Sequence, residues 1–151
     1  MKQVHVECLP DERFVSKLGF TKKQITHHSG RSRIFKTLSK TENQFAIIDE
    51  DPGSGRSSYE AKLILKEEFN GIKYYTDKSG NKIFILKDKL EDWIINACKR
   101  TNIKISDFNL PVNPADLHSV INNKLDNFDK LIDELFMKKN PAILKLKKWL
   151  N

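Results

Sequence analysis

Three acidic residues directly follow an apolar run in the stretch FAIIDEDPGSGR, residues 45–56. Asp49, Glu50 and Asp51 repel one another, so they need water, a cation or another partner beside them. On an extended chain alternate residues share a face, so Asp49 and Asp51 would point one way and Glu50 another. Two carboxylates that face one point are candidate ligands for Mg²⁺, which prefers oxygen ligands.

The elements that must position these acids are predicted from apolar spacing. The unbroken run FAII predicts a strand that is covered on both faces, as in a parallel sheet. Before it, VHVEC (4–8) predicts a first strand, and PDERFVSKLGF (10–20) predicts a helix with proline and acids at its start. The other predicted elements are a weak strand at 24–28, helices at 29–40 and 57–71, two strands within 71–86 and a helix at 87–102.

This alternation of strands and helices predicts an α/β fold with an open, mainly parallel sheet flanked by helices. Residues 1–110 would form that core. Residues 111–151 differ, because their apolar residues recur at helical spacing with no strand pattern. We expect them to form a C-terminal helical extension that packs on the core within one domain.

Two further acids extend the candidate site. In open α/β sheets, ligands bind at the carboxyl ends of the strands. Glu7 ends the first predicted strand and Asp11 follows it closely. If the first and third strands are neighbours, both acids converge with Asp49 and Asp51, and the set could hold Mg²⁺ or Mn²⁺ to activate water at a phosphodiester. The plainer alternative is a solvated acidic loop with Asp11 as a helix cap.

The stretches VHVECLPD and FAIIDED together resemble the Toprim domain of topoisomerases, primases and the overcoming-lysogenization-defect nucleases. The resemblance spans roughly the first 100 residues. It implies a glutamate after the first strand (Glu7), a D-x-D after the third (Asp49 and Asp51) and, in the nucleases, an acid four positions after the glutamate (Asp11). It therefore implies Mg²⁺ held by these four acids, catalysis by Glu7, Asp49 and Asp51, and nucleic acid as the substrate.

The same resemblance bears on protein partners. The larger nucleases of that group usually carry an ATPase segment, and this sequence has none. A partner supplied in trans, an ATPase or another subunit, is therefore expected. Cys8 stands where the family usually has glycine.

Basic residues near the second strand fit a phosphate ligand. The stretch THHSGRSR places His28, Arg31 and Arg33 at a predicted helix start, where backbone N–H groups can bind phosphate. Arg56 follows the acids and would grip a phosphate or pair with them. The alternative is a capped helix with a solvated basic first turn. Zinc is not expected, because adjacent histidines on a strand face opposite ways.

Composition sets broad limits. The 151 residues are 38% hydrophobic and 31% charged, which supports one core beneath a charged surface. The net charge of +7 mildly favours polyanion partners. The two cysteines form no CxxC pair, and no apolar run is long enough to span a membrane. A soluble, cytoplasmic protein is the expectation.

Two other functions stay open. Asp49 with Glu60 and Lys62 resembles the D…ExK set of restriction-endonuclease-like nucleases, in which the ExK lies on a strand. Here that stretch is predicted to be helical. The second alternative is a catalytically inactive interaction or regulatory module, one part of a defence-type complex.

Overall fold

The computed structural model describes residues 2–51 and 55–151. The strands are β1 (Val4–Val6), β2 (Ile25–His27), β3 (Phe45–Asp49), β4 (Ile64–Phe69), β5 (Ile72–Thr76) and β6 (Lys82–Leu86). The α-helices are α1 (Leu9–Lys17), α2 (Arg31–Leu38), α3 (Ser58–Ala61), α4 (Leu90–Arg100), α5 (Pro114–Val120), α6 (Leu125–Met137) and α7 (Pro141–Leu150). Short 3-10 turns cover Lys22–Gln24, Ile105–Phe108 and Ile121–Asn123.

The strands of the described chain form one sheet in the order β2-β1-β3-β6-β5-β4. The four strands from β2 to β6 run parallel, and β5 and β4 are added antiparallel at one side. The predicted α/β fold with a mainly parallel, open sheet is confirmed. Each parallel connection carries a helix, as crossovers between parallel strands require.

Strand β3 is buried on both faces, as its unbroken apolar run predicted. Phe45 and Ile47 join the larger core cluster, which contains α1, α4 and the C-terminal helices. Ala46 and Ile48 face the smaller cluster, which α2 covers. The sheet therefore lies between two layers of helices, and only the end of β3 can display polar side chains.

The predicted helix at 57–71 is wrong for most of its length. Only α3 is helical, and the chain then forms the edge strand β4. All residues of β4 before Phe69 are exposed, so their side chains show no apolar periodicity that could reveal the strand. Asn70 and Gly71 have φ values of 45° and 79°, which makes them a two-residue hairpin turn and not a helix stop.

The C-terminal helices complete the larger core cluster. Phe128 and Leu135 of α6 belong to the same buried cluster as Phe14 of α1. At the surface, Arg13 of α1 pairs with Asp129 of α6 at 2.5 Å. None of the helices in the described ranges is long and apolar enough to cross a membrane.

Because the core is shared, loss of a buried ring in α6 should destabilise the whole chain. Phe128 is 0% exposed. We expect Phe128→Ala to lower the free energy of unfolding by about 3–5 kcal/mol in a single denaturant transition. Met137→Ala on the same helix, where the side chain is 77% exposed, should change it by less than about 0.5 kcal/mol. A separate early transition in the Phe128 variant would contradict one shared core.

Candidate functional site

The candidate site depends on the neighbours of β3. Strand β1 pairs with β3 in parallel, with Val4 opposite Phe45 and His5 opposite Ala46. The carboxyl ends of both strands therefore lie at the same edge of the sheet. The condition that the first and third strands are neighbours is confirmed, and it brings the segment after β1 close to Asp49.

Asp11 is a buried acid in the first turn of α1. It is 2% exposed, and the helix cap position belongs to Cys8, so Asp11 is neither solvated nor a cap. Burial raises the pKa of Asp11 to about 6; a hydrogen bond with the Cys8 side chain lowers it, and the neighbouring charge of Glu7 raises it. The pKa of the Cys8 thiol is itself raised by burial and by Asp11, so Cys8 is not a reactive nucleophile.

Asp49 occupies the end of β3 and faces the first turn of α4. Its Oδ1 accepts the backbone N–H of Leu90 at 2.9 Å. The pKa of Asp49 is raised to about 8, first by burial and then by the charges of Asp11, Glu91 and Glu7. Asp49 is therefore partly shielded from water and lies close enough to three other carboxylates for their charges to act on it.

Glu91 is the site residue that the sequence analysis missed. It lies in the first turn of α4, is 5% exposed, and its Oε1 is 3.1 Å from Nδ1 of His118 on α5. Because β6 pairs in parallel with β3, the helix that follows β6 begins at the edge where Asp49 lies. Acids are common at helix starts, so residue type alone did not mark Glu91. We call Glu7, Asp11, Asp49 and Glu91 the acidic site.

Asp51 lies beside the acidic site, but the backbone has already left the strand before it reaches this residue. The strand ends at Asp49, and Asp51 has a φ of 42°, so the alternation of an extended chain does not continue to it. The expectation that Asp49 and Asp51 share a face therefore loses its basis. Asp51 is exposed and still close to Glu7: burial raises the pKa of Glu7, Arg31 lowers it, and Asp51 raises it.

A cleft of about 250 Å³ opens beside Asp51 and is lined by side chains of both charges. We call it the mixed-charge cleft. Arg31 donates to the carbonyl of Glu50 at 2.8 Å and to Oε1 of Glu60 at 2.9 Å. Lys73 lies 3.4 Å from the Glu50 carboxylate. Arg31, a predicted phosphate ligand, is therefore already paired with Glu60, and Lys73 is paired with Glu50 in the same cleft.

The other predicted phosphate ligands are His28, Arg33 and Arg56, and the charge of Arg33 is close enough to lower the pKa of His28. His28 contacts the buried His5 at 2.8 Å, and its pKa is lowered by burial and by His5. Arg33 is exposed on α2. Arg56 is also exposed, and it reaches the backbone of Glu60 at 3.5 Å. Arg56 lines the same cleft as Arg31, whereas His28 and Arg33 are not part of its lining.

The restriction-like arrangement is not assembled. Glu60 lies on the short helix α3 and faces the mixed-charge cleft. Lys62 lines a different cleft, together with Tyr59 and Ser79. The ExK stretch is thus neither on a strand nor gathered around Asp49, so this alternative loses its geometric support.

Within residues 2–51 and 55–151, no group of three or more His, Cys, Asp or Glu side chains is already arranged as a metal-binding set. Comparison of this chain with protein-family models, with curated proteins and with solved structures found no match. The function must therefore be argued from the acidic site itself.

The raised pKa of Asp49 gives a test with a definite sign. A carboxyl that binds its proton more tightly in the folded state loses stability as the pH rises from the unfolded pKa, near 4, to the folded value of about 8. Asp49→Asn keeps an oxygen for the N–H of Leu90 and does not titrate. We expect the stability of this variant relative to the parent to rise by about 1–2 kcal/mol between pH 5 and pH 8. Urea unfolding of both proteins at several pH values measures this difference in stability. A difference that is independent of pH would show that folding does not raise the pKa of Asp49.

Proposed function

We propose that this protein carries out Mg²⁺-dependent phosphodiester chemistry on nucleic acid at the carboxyl edge of its sheet. Glu7, Asp11, Asp49 and Asp51 are the carboxylates that would hold the ion. The observation that carries the proposal is the closeness of the buried Asp11 and the half-buried Asp49, with no ion-pairing Lys or Arg for either among the described residues. Buried charges without a partner are costly, and a hard divalent cation would relieve that cost.

The chain supplies groups with distinct tasks around such an ion. The N–H of Leu90 holds one oxygen of Asp49, which orients its carboxylate. Helices α1 and α4 both begin at this edge, so their positive ends offset part of the acidic charge and favour a phosphate. Glu7 is half-buried, and burial raises its pKa above the usual range of a glutamate, which favours a role in proton transfer.

Bound Mg²⁺ would polarise the phosphodiester and lower the pKa of a water ligand. Asp51 lies exposed next to Glu7, on the side from which substrate would approach, and completes the proposed catalytic group with Glu7 and Asp49. Nucleic acid is the proposed substrate class, because it contains phosphodiesters and a net charge of +7 favours a polyanion partner. The resemblance to the Toprim nucleases also implies a protein partner in trans, an ATPase or another subunit.

Metal binding is tested by thermal unfolding. Millimolar Mg²⁺ should raise the melting temperature of the parent by about 2–5 °C, because a ligand of the native state stabilises it. The Asp49→Asn variant should lose this shift. Asp107→Asn removes the same charge from an exposed position elsewhere and should keep it. An equal shift in all three proteins would point to a general salt effect and contradict the site.

Catalysis is tested with supercoiled DNA and with end-labelled RNA in Mg²⁺ or Mn²⁺. We expect Asp49→Ala to reduce cleavage by about 100-fold or more, because it removes a ligand of the activating ion. Equal cleavage by the variant and the parent would refute the catalytic assignment.

The second candidate is a catalytically inactive interaction or regulatory module of a defence-type complex. It is favoured by one observation: the acids of the described chain are not gathered around a single point as ligands. A parent protein that neither binds Mg²⁺ nor cleaves nucleic acid would support this function.

A further inference from the structure

The amino edge of the sheet, opposite the acidic site, carries a row of lysines. The paired residues Ile25, Val4, Phe45, Lys82, Thr76 and Ile64 run in this order across the six strands and define that edge. A lysine lies at this edge on or next to every strand: Lys23 precedes β2, Lys2 precedes β1, Lys40 lies in the loop before β3, Lys82 begins β6, Lys78 is in the β5–β6 turn and Lys62 precedes β4. We call these six the lysine row.

The members of the lysine row share one edge of the sheet, and two pairs of them also share a ring or a cleft. The ammonium groups of Lys2 and Lys82 lie 5.2 and 5.8 Å from the centre of one ring, that of Phe45. At the other end, Lys62 and Lys78 line one cleft of about 370 Å³ with three serines. With strands about 4.8 Å apart, the row spans roughly 24 Å.

The positive charge of the row is not neutralised by the chain itself. In the described ranges no member of the row forms an ion pair with a carboxylate. Two acids, Asp77 and Glu42, lie in the loops that carry Lys78 and Lys40. Asp77 is occupied, since its carboxylate accepts from Tyr59, Ser79 and Asn81, and only the exposed Glu42 remains. Five members of the row are exposed, and Lys82 is half-buried.

From this geometry we infer that the lysine row is a docking surface for the phosphate backbone of nucleic acid. A line of lysines about 24 Å long matches a linear polyanion, and lysine binds phosphate as a point charge without reading bases. Phe45 is buried beneath the row, so it offers no stacking surface, and binding should be independent of sequence. An anionic membrane is less suited, because the exposed large apolar residues beside the row, Ile64 and Leu65, both belong to the start of the edge strand β4, and interfacial binding needs a broad apolar face.

The docking surface does not depend on the proposed chemistry. It lies at the opposite edge of the sheet from Asp49, and lysines can bind phosphate without a metal ion. Binding is therefore measured in EDTA, with a fluorescent single-stranded DNA of about 20 nucleotides as the probe. Binding by the parent protein under these conditions reports on the lysine row, even if the acidic site has no activity.

The decisive comparison uses two triple variants with the same loss of charge. One changes Lys23, Lys40 and Lys78 of the row to Gln. The control changes three exposed lysines of the C-terminal half, Lys104, Lys130 and Lys139, to Gln. For single strands, each phosphate contact contributes about 0.7 to the slope of log K against log salt concentration. The row variant, which lacks three lysines, should therefore lose about 2 from that slope. Its affinity near 0.1 M salt should fall about tenfold or more. The control should keep its slope and lose less than about threefold.

Three results would overturn the inference: equal losses in both variants, no salt-dependent binding of DNA by the parent, or sedimentation with phosphatidylserine vesicles without DNA binding. The last result would assign the row to a membrane surface. Circular dichroism melting of both variants checks that the fold is unchanged, which is expected because all six substituted lysines are exposed.

Discussion

The parallel placement of β3 between β1 and β6 is the constraint on which the rest of the structure depends. A strand that is apolar on both faces must lie inside a sheet with a layer on each side, and it cannot show polar groups before it ends. Its acids therefore appear at its carboxyl end. The same pairing fixes where the chain leaves β1 and β6, so that Asp11 and Glu91 arrive at that edge on the first turns of α1 and α4.

The two edges of the sheet differ in the charged residues that they carry. At the carboxyl edge, burial and mutual repulsion raise the pKa values of Asp11 and Asp49, and hydrogen bonds and helix N-termini offset only part of this cost. At the amino edge, lysines accumulate without ion-pair partners in the described chain. A net charge of +7 thus conceals an acidic site at one edge and a lysine row at the other, which composition alone could not reveal.

The sequence was informative where burial imposes a pattern. The run FAII predicted β3, its parallel environment and the position of Asp49, because two covered faces leave an unbroken apolar signature. It was uninformative where exposure removes the pattern, as in β4, whose residues are nearly all in solvent. The missed hairpin at Asn70 had a local signal, since Asn-Gly is a common two-residue turn.

The errors at the site have a related cause. The shared face of Asp49 and Asp51 assumed an extended backbone, and the chain leaves the strand after Asp49. Glu91 was missed because its place at the site follows from the pairing of β6 with β3, a contact between distant parts of the chain. The Arg31–Glu60 pair likewise joins residues that only the folded sheet brings together.

The central claim is that the acids at the carboxyl edge of the sheet form a divalent-cation site. Anomalous diffraction from crystals soaked in Mn²⁺ measures this directly, since it locates the ion without reference to activity. The claim predicts one strong peak about 2 Å from carboxylate oxygens of Asp49 and of Asp11 or Glu7. A well-ordered soaked crystal with no peak at this edge, or with its strongest peak in the mixed-charge cleft beside Arg31, would contradict it.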